Sequence, residues 1–154
     1  MLRFIYMICF GSALLFGYEK GDVLDQQIVD KLHLQQEKIY IIDFFASWCH
    51  SCKKEMPSMA KLYNSIDKNK VEIIGIDVDE DIESAHRFQE ELKHQNMLQF
   101  KVIDDPKGEI VSVFNPIGTP ALYVVKNNQI IAVEFGAKNN IDTIVLQHIQ
   151  KAQQ

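Results

Sequence analysis

The chain has 154 residues, 47% of them apolar and 24% charged, with a formal net charge of −5. That length and composition suit one soluble domain with a real core, needing neither a metal nor several disulfides to hold it. No Lys/Arg cluster stands out against the acidic balance, which argues against nucleic-acid binding.

The first seventeen residues differ from the rest. Arg3 precedes an apolar run from Phe4 to Phe16, interrupted only by Tyr6, Gly11 and Ser12. The run is short for a membrane span, which takes about 20 residues, and has the length of a signal-peptide core. Gly17 offers a small residue for cleavage, although Leu15 fits poorly two places earlier. Residues 1–17 are expected to be a signal peptide, with an uncleaved membrane anchor or a buried N-terminal strand as alternatives. Residues 18–154 then form the folded domain, in the periplasm or elsewhere outside the cytoplasm. Cys9 lies inside the run without the small residues a lipoprotein site wants, and reads as a plain apolar residue. Its removal would leave Cys49 and Cys52 alone.

Leu24, Ile28 and Leu32 recur every four residues and predict an N-terminal amphipathic helix. Residues 39–46 are almost continuously apolar, as in a central strand covered on both faces. A helix follows, with Cys52, Met56, Met59, Ala60 and Tyr63 on one face and Pro57 expected to kink it. Val71 to Val78 reads as a second buried strand. Asp81 to Gln95 reads as a helix, with Ile82, Ala85, Phe88 and Leu92 inward. Gln99 to Ile103 is a short strand, Asp105-Pro106-Lys107-Gly108 a turn, and Glu109 to Phe114 a short helix. Ala121 to Val125 and Gln129 to Phe135 form a hairpin about Asn127-Asn128. A last helix carries Ile141, Ile144, Val145 and Ile149. Strands alternating with helices, closed by a hairpin and a helix, predict an α/β fold with a central mixed sheet flanked by helices.

The chemistry is concentrated in Trp48-Cys49-His50-Ser51-Cys52, which follows a buried strand and opens a helix. A helix N-terminus carries partial positive charge and free N–H groups, which stabilise a thiolate at Cys49. Cys52, one turn on and more buried, is placed to resolve a mixed disulfide formed at Cys49. So short a loop makes a poor structural staple. Structural zinc needs four ligands; there is no second Cys pair, and His33, His50, His86, His94 and His148 lack zinc-finger spacing.

Asp43 lies six residues before Cys49 within the apolar strand. It is either a buried proton acceptor for Cys52 with a raised pKa or a carboxylate that reaches solvent or a partner at the strand edge. Thr119-Pro120 precedes a strand, where the proline is either edge-compatible or cis and beside the sulfurs. Trp48 is expected on the docking surface. His50 and Ser51 either tune the thiolate or are solvated. Lys53, Lys54 and Glu55 read as a solvated first turn.

Asp43-Phe44-Phe45-Ala46-Ser47-Trp48-Cys49-His50-Ser51-Cys52, followed by Pro57, resembles the active-site region of the thioredoxin superfamily. Thr119-Pro120 matches the cis-proline position, and Gly136-Ala137 the small-residue turn after the last strand. The resemblance covers residues 23–154. It is strongest to the exported TlpA/ResA/CcmG-type branch, through the string from Trp48 to Glu55 and Pro57 and through a helix–strand insertion before Thr119-Pro120, closed by residues 102–109. It implies a thioredoxin fold and a disulfide reductase acting outside the cytoplasm on protein disulfides such as those of apocytochrome c, fed by a membrane donor of the DsbD/CcdA type. In it Cys49 is nucleophile, Cys52 resolves, Asp43 moves the proton, and Trp48, Thr119 and Pro120 meet substrate. No cofactor beyond the Cys49–Cys52 disulfide and no metal is implied, and the chain is expected to be a monomer. Asp43 stands where the branch commonly has Asn, and His50-Ser51 lacks the acidic residue of ResA-like proteins. A DsbA-like disulfide oxidase and a non-catalytic copper-binding carrier are the competing readings.

Overall fold

A computed structural model describes residues 17–154. The signal-peptide or anchor expectation falls, apart from Gly17, outside the described residues. Among the described residues no helix is long and apolar enough to cross a membrane.

The elements in chain order are α1 (Gln26–Leu32), β1 (Ile39–Phe45), α2 (His50–Ser65), β2 (Val71–Asp77), α3 (Ile82–His94), β3 (Lys101–Asp104), α4 (Val111–Phe114), β4 (Ala121–Lys126), β5 (Gln129–Phe135) and α5 (Ile141–Ala152). The sheet runs β3-β2-β1-β4-β5. Strands β1, β2 and β3 are parallel, while β4 is antiparallel to both β1 and β5. This is the mixed sheet the sequence predicts, and the predicted insertion supplies α3 and the edge strand β3. Asn127 and Asn128 both adopt positive φ, 51° and 62°, the geometry that a two-residue hairpin turn demands and that Asn tolerates.

Every residue of β1 is buried. Side chains alternate across a strand, and the two sets meet different layers. Ile39, Ile41 and Phe45 pack with Met56, Met59 and Leu62 of α2, Phe88 and Leu92 of α3, and Val145 and Ile149 of α5. Tyr40, Ile42 and Phe44 pack with Ile28, Val29 and Leu32 of α1 and with Phe114 of α4. Opposite Asp43 stands Gly75. A Cβ there would sit 2.7 Å from the Phe45 ring and 3.1 Å from that of Phe100, so the glycine makes room for two aromatic core residues.

Two expectations need correction. Ile82, expected inward, is 38% exposed: it opens α3, ahead of the turns that touch the sheet. Glu55, expected in solvent, is only 3% exposed. It follows Cys52 by three positions and precedes Met59 by four, which puts it on the buried stripe of α2.

The turn before α4 depends on Asp105, itself 5% exposed. Its Oδ2 accepts from the Ile110 and Val111 N–H groups at 3.0 and 2.8 Å, satisfying donors that the short helix leaves free. Asp105→Ala would strand both donors and is expected to lower the unfolding free energy by about 1–3 kcal/mol. Urea titration would measure the loss, and Asp105→Asn, which retains one acceptor oxygen, should recover much of it.

Candidate active site

Strand β1 ends at Phe45, and the chain turns so that the Cys49 N–H donates to the Ala46 carbonyl at 3.1 Å. Cys49 then caps α2 with extended backbone, and its Sγ accepts the Cys52 N–H at 3.1 Å. The sulfur therefore occupies the place usually taken by a Ser or Asp cap oxygen. Cys49 and Cys52 are disulfide-bonded with Cα atoms 5.3 Å apart. Cys49 is 6% exposed and Cys52 1%, so the first sulfur lies nearer the surface. His50 and Ser51 are exposed on the first turn. Trp48 stands out from the surface at 66% exposure, and a cleft of about 540 Å³ beside it is lined by Ser47, Val78, Asp79, Glu80, Asp81 and Ser84.

A polar lattice absent from the sequence reading braces this turn. Asp79 accepts the Ser47 N–H at 2.7 Å and the Ser47 hydroxyl at 2.8 Å. The Asp79 N–H donates to Asp77 at 3.0 Å. The Gln89 amide donates both to Asp77 at 2.9 Å and to Asp104 at 2.7 Å. Asp77 is fully buried, and burial raises its pKa against the pull of those donors. The lattice ties the residue before Trp48 to β2, α3 and β3. The sequence signal was the run Asp77-Val78-Asp79 at the end of a buried strand, where carboxylates need donors.

Asp43 is odd-numbered in β1, like Ile41 and Phe45, and so faces the α2 layer. It is 1% exposed, and its Oδ1 has no hydrogen-bond partner. Its place inside the central strand overturns the strand-edge alternative. Burial first, and the Glu55 charge second, push its pKa from 3.8 up to about 8. Glu55 is the second buried carboxylate. Burial raises its pKa, opposed by the Lys138 N–H, which donates at 2.7 Å, and by the Lys138 charge.

Thr119-Pro120 lies at the same end of the sheet. The bond is cis, and it precedes β4, an interior strand whose first residue, Ala121, stands between Phe44 and Phe135. The edge-strand alternative therefore does not apply. Pro120 is buried and Thr119 half-buried. The Gly136 N–H donates to the Pro120 carbonyl at 3.0 Å, with Gly136 at φ 71°. Two residues on, Lys138 holds Glu55, and Asn139 accepts from the Ser58 hydroxyl at 2.9 Å. The loop after β5 thus links the proline to the cysteine helix. Glu55, Asp79 and Lys138 are the site residues the sequence reading missed. Among the described residues, no cluster of three or more His, Cys, Asp or Glu is arranged to hold a metal ion.

The geometry can be set beside known proteins. The curated relatives include a thiol-disulfide oxidoreductase ResA from Bacillus thuringiensis subsp. konkukian, 34% identical over 91 residues, covering 58% of this chain and 50% of that protein. They also include the sporulation thiol-disulfide oxidoreductase A of Bacillus subtilis, 27% identical over 85 residues, covering 55% and 51%. The chain spans about half the length of the curated relatives it matches. Among solved structures, a Chlorobium tepidum protein described as a DsbE thiol:disulfide interchange protein superposes with a TM-score of 0.71 at 22% identity, over 88% of this chain and 99% of that one. StoA from Bacillus subtilis gives 0.63 at 19%, over 75% and 84%. Both share the thioredoxin-like architecture described above. The profile of the AhpC/TSA family matches residues 20–134, from the segment before α1 through most of β5, and the chain belongs to that family.

Proposed function

We propose that the chain is a thiol–disulfide oxidoreductase, working as a disulfide reductase on proteins outside the cytoplasm. One observation carries this reading: the Cys49 sulfur caps α2 and takes the Cys52 N–H, with Cys52 buried behind it and the buried Asp43 carboxyl, one oxygen of which has no hydrogen-bond partner, beneath the same helix.

In the reduced protein the Cys49 thiolate, stabilised by helix N–H groups, attacks one sulfur of a substrate disulfide. A mixed disulfide forms at Cys49, and the other substrate sulfur leaves as a thiolate. Cys52 then passes its proton to Asp43 in its ionised form, whose fraction grows as pH rises toward about 8, and attacks the Cys49 sulfur. The second substrate thiolate departs, and two electrons have moved from the dithiol to the substrate. Trp48 supplies an exposed apolar contact, and Thr119-Pro120 borders the substrate groove. His50 and Ser51 flank the nucleophile in solvent.

Export is supported by the Phe4 to Phe16 segment, with residues 1–17 removed or retained as a tether. The branch resemblance adds apocytochrome c as a substrate and a DsbD/CcdA-type membrane protein as the electron donor. Thiols trapped in cells with a maleimide mass tag are expected to be mostly reduced. A mostly oxidised pair in cells with an intact donor would favour the oxidase reading.

Cys49→Ser should abolish insulin reduction, and Cys52→Ser should accumulate mixed disulfides on non-reducing gels. Retained turnover in Cys49→Ser would overturn the mechanism.

Asp43→Asn separates chemistry from stability. The folded protein holds the Asp43 proton up to about pH 8, whereas the unfolded chain releases it near its ordinary 3.8. The folded state therefore binds the extra proton within this window, and stability falls as pH rises through it, by ~1.4 kcal/mol per unit at the limit. Asp43→Asn should be more stable than the parent near pH 8 by several kcal/mol, with the gap closing toward about pH 4. It should also lose the inflection near pH 8 in the rate of mixed-disulfide resolution. Urea unfolding and stopped-flow exchange across that range test both.

A further inference from the structure

Glu55 is fastened from outside α2. The Lys138 N–H donates to its Oε2 at 2.7 Å. The Lys138 ammonium is held in turn by Glu134 Oε2 at 2.9 Å and by the Phe135 carbonyl at 3.0 Å. His148 of α5 pairs with the other Glu134 oxygen at 2.8 Å. The arrangement is partly screened: the side chains of Lys138, Glu134 and His148 are 32%, 19% and 27% exposed. A line of charges thus runs from the surface of β5 and α5 to the buried carboxyl of Asp43, through Glu55.

Such a line is electrostatically consequential because its inner end is dry. A unit charge loses most of its influence through water but keeps much more across a packed interior. Asp43 has no hydrogen-bond donor of its own at Oδ1; burial is the main reason it resists ionisation, and the Glu55 charge adds to it. The groups that bear on the pair come from four elements: Asp43 on β1, Glu55 on α2, Glu134 on β5, and His148 on α5, together with Lys138 in the loop between β5 and α5. Lys138 favours the Glu55 anion and Glu134 opposes it; the Glu55 anion in turn opposes ionisation of Asp43.

We propose that Lys138 is a positioning residue for the exchange reaction. Its main chain orients the Glu55 carboxylate, and its ammonium, clamped by Glu134, favours the Glu55 anion, whose charge opposes ionisation of Asp43, the proton acceptor for Cys52. The proposal rests on the thiol-exchange reading above for its role in turnover, and on the Lys138–Glu55 and Lys138–Glu134 contacts for its electrostatics.

Lys138 and Glu134 form one ion pair, so a structural role and an electrostatic role predict different things. Breaking the pair from either side would loosen the loop alike, and any resulting shift would share one sign. Electrostatic control demands opposite signs. Removing the cation makes ionisation of Glu55 harder, and removing the anion makes it easier. The two carboxyls interact, so the readout is the Glu55 carboxyl resonance, the group on which the ammonium acts.

The full chain, carrying carbon-13-labelled carboxyls, would be titrated by NMR alongside Lys138→Met, Lys138→Arg and Glu134→Gln. Lys138→Met is expected to raise the Glu55 carboxyl midpoint by about half a unit or more. Glu134→Gln is expected to lower it, and Lys138→Arg to leave it in place. Shifts of one sign in both variants, or none, overturn the proposal. Should Lys138→Met fail to fold, Glu134→Gln decides alone, since a midpoint that rises or stays fixed there refutes it. A protein that moves its carboxyl midpoints as stated but reduces no disulfide would refute the proposed function and leave the electrostatic coupling standing.

Discussion

Both faces of β1 are covered, and the rest of the molecule is arranged around that constraint. The strand pairs with β2 on one side and β4 on the other, so its backbone bonds are satisfied within the sheet. Its alternating side chains are divided between the α2–α3–α5 layer and the α1–α4 layer. A strand so enclosed is a rigid platform. The residues that leave its end, Ala46 to Cys49, start from a fixed point, and α2 begins where Cys49 can cap it.

The same enclosure makes Asp43 costly. A carboxyl with an unpartnered oxygen in a dry interior favours its neutral form, and the fold retains it at the expense of stability above the ordinary carboxylate range. Local cost of this kind is consistent with the proton-accepting role proposed for Asp43. Glu55 is treated differently. It too is buried, though less completely, and it receives a backbone donor and a nearby ammonium. Two acids packed under one helix thus differ through the donors around them, which is how neighbouring carboxyls acquire separate roles.

The turn carrying the cysteines is held from two further directions. The Asp77–Asp79–Gln89 lattice fixes Ser47 from the β2 and α3 side. The loop after β5 joins Pro120, Glu55 and Ser58 from the other. Nearly every polar group in these braces is satisfied, so they add rigidity without leaving donors stranded. Trp48 stands between the braces with its ring in solvent, a large exposed apolar surface beside Cys49.

Much of this could be read along the chain. The continuous apolar run of β1, the 3.6-residue spacing of α2 and α5, and the Asn127-Asn128 hairpin are local patterns whose burial or dihedral demands leave few options. The Cys49–Cys52 pair was legible for the same reason: the effect of a helix N-terminus on a thiol acts within one turn. Glu55 was within reach of that spacing, and only its position among lysines made it look solvated. Other features depended on pairings distant in sequence. That Pro120 leads into an interior strand required the position of β5 beyond β4. That Asp79 would latch Ser47 required β2 to lie beside β1. The link from Lys138 to Glu55 spans a gap no periodicity encodes. Short-range sterics and the hydrophobic pattern act between neighbours in the chain, whereas the charge and hydrogen-bond partners of a buried carboxyl are settled only once the layers close around it.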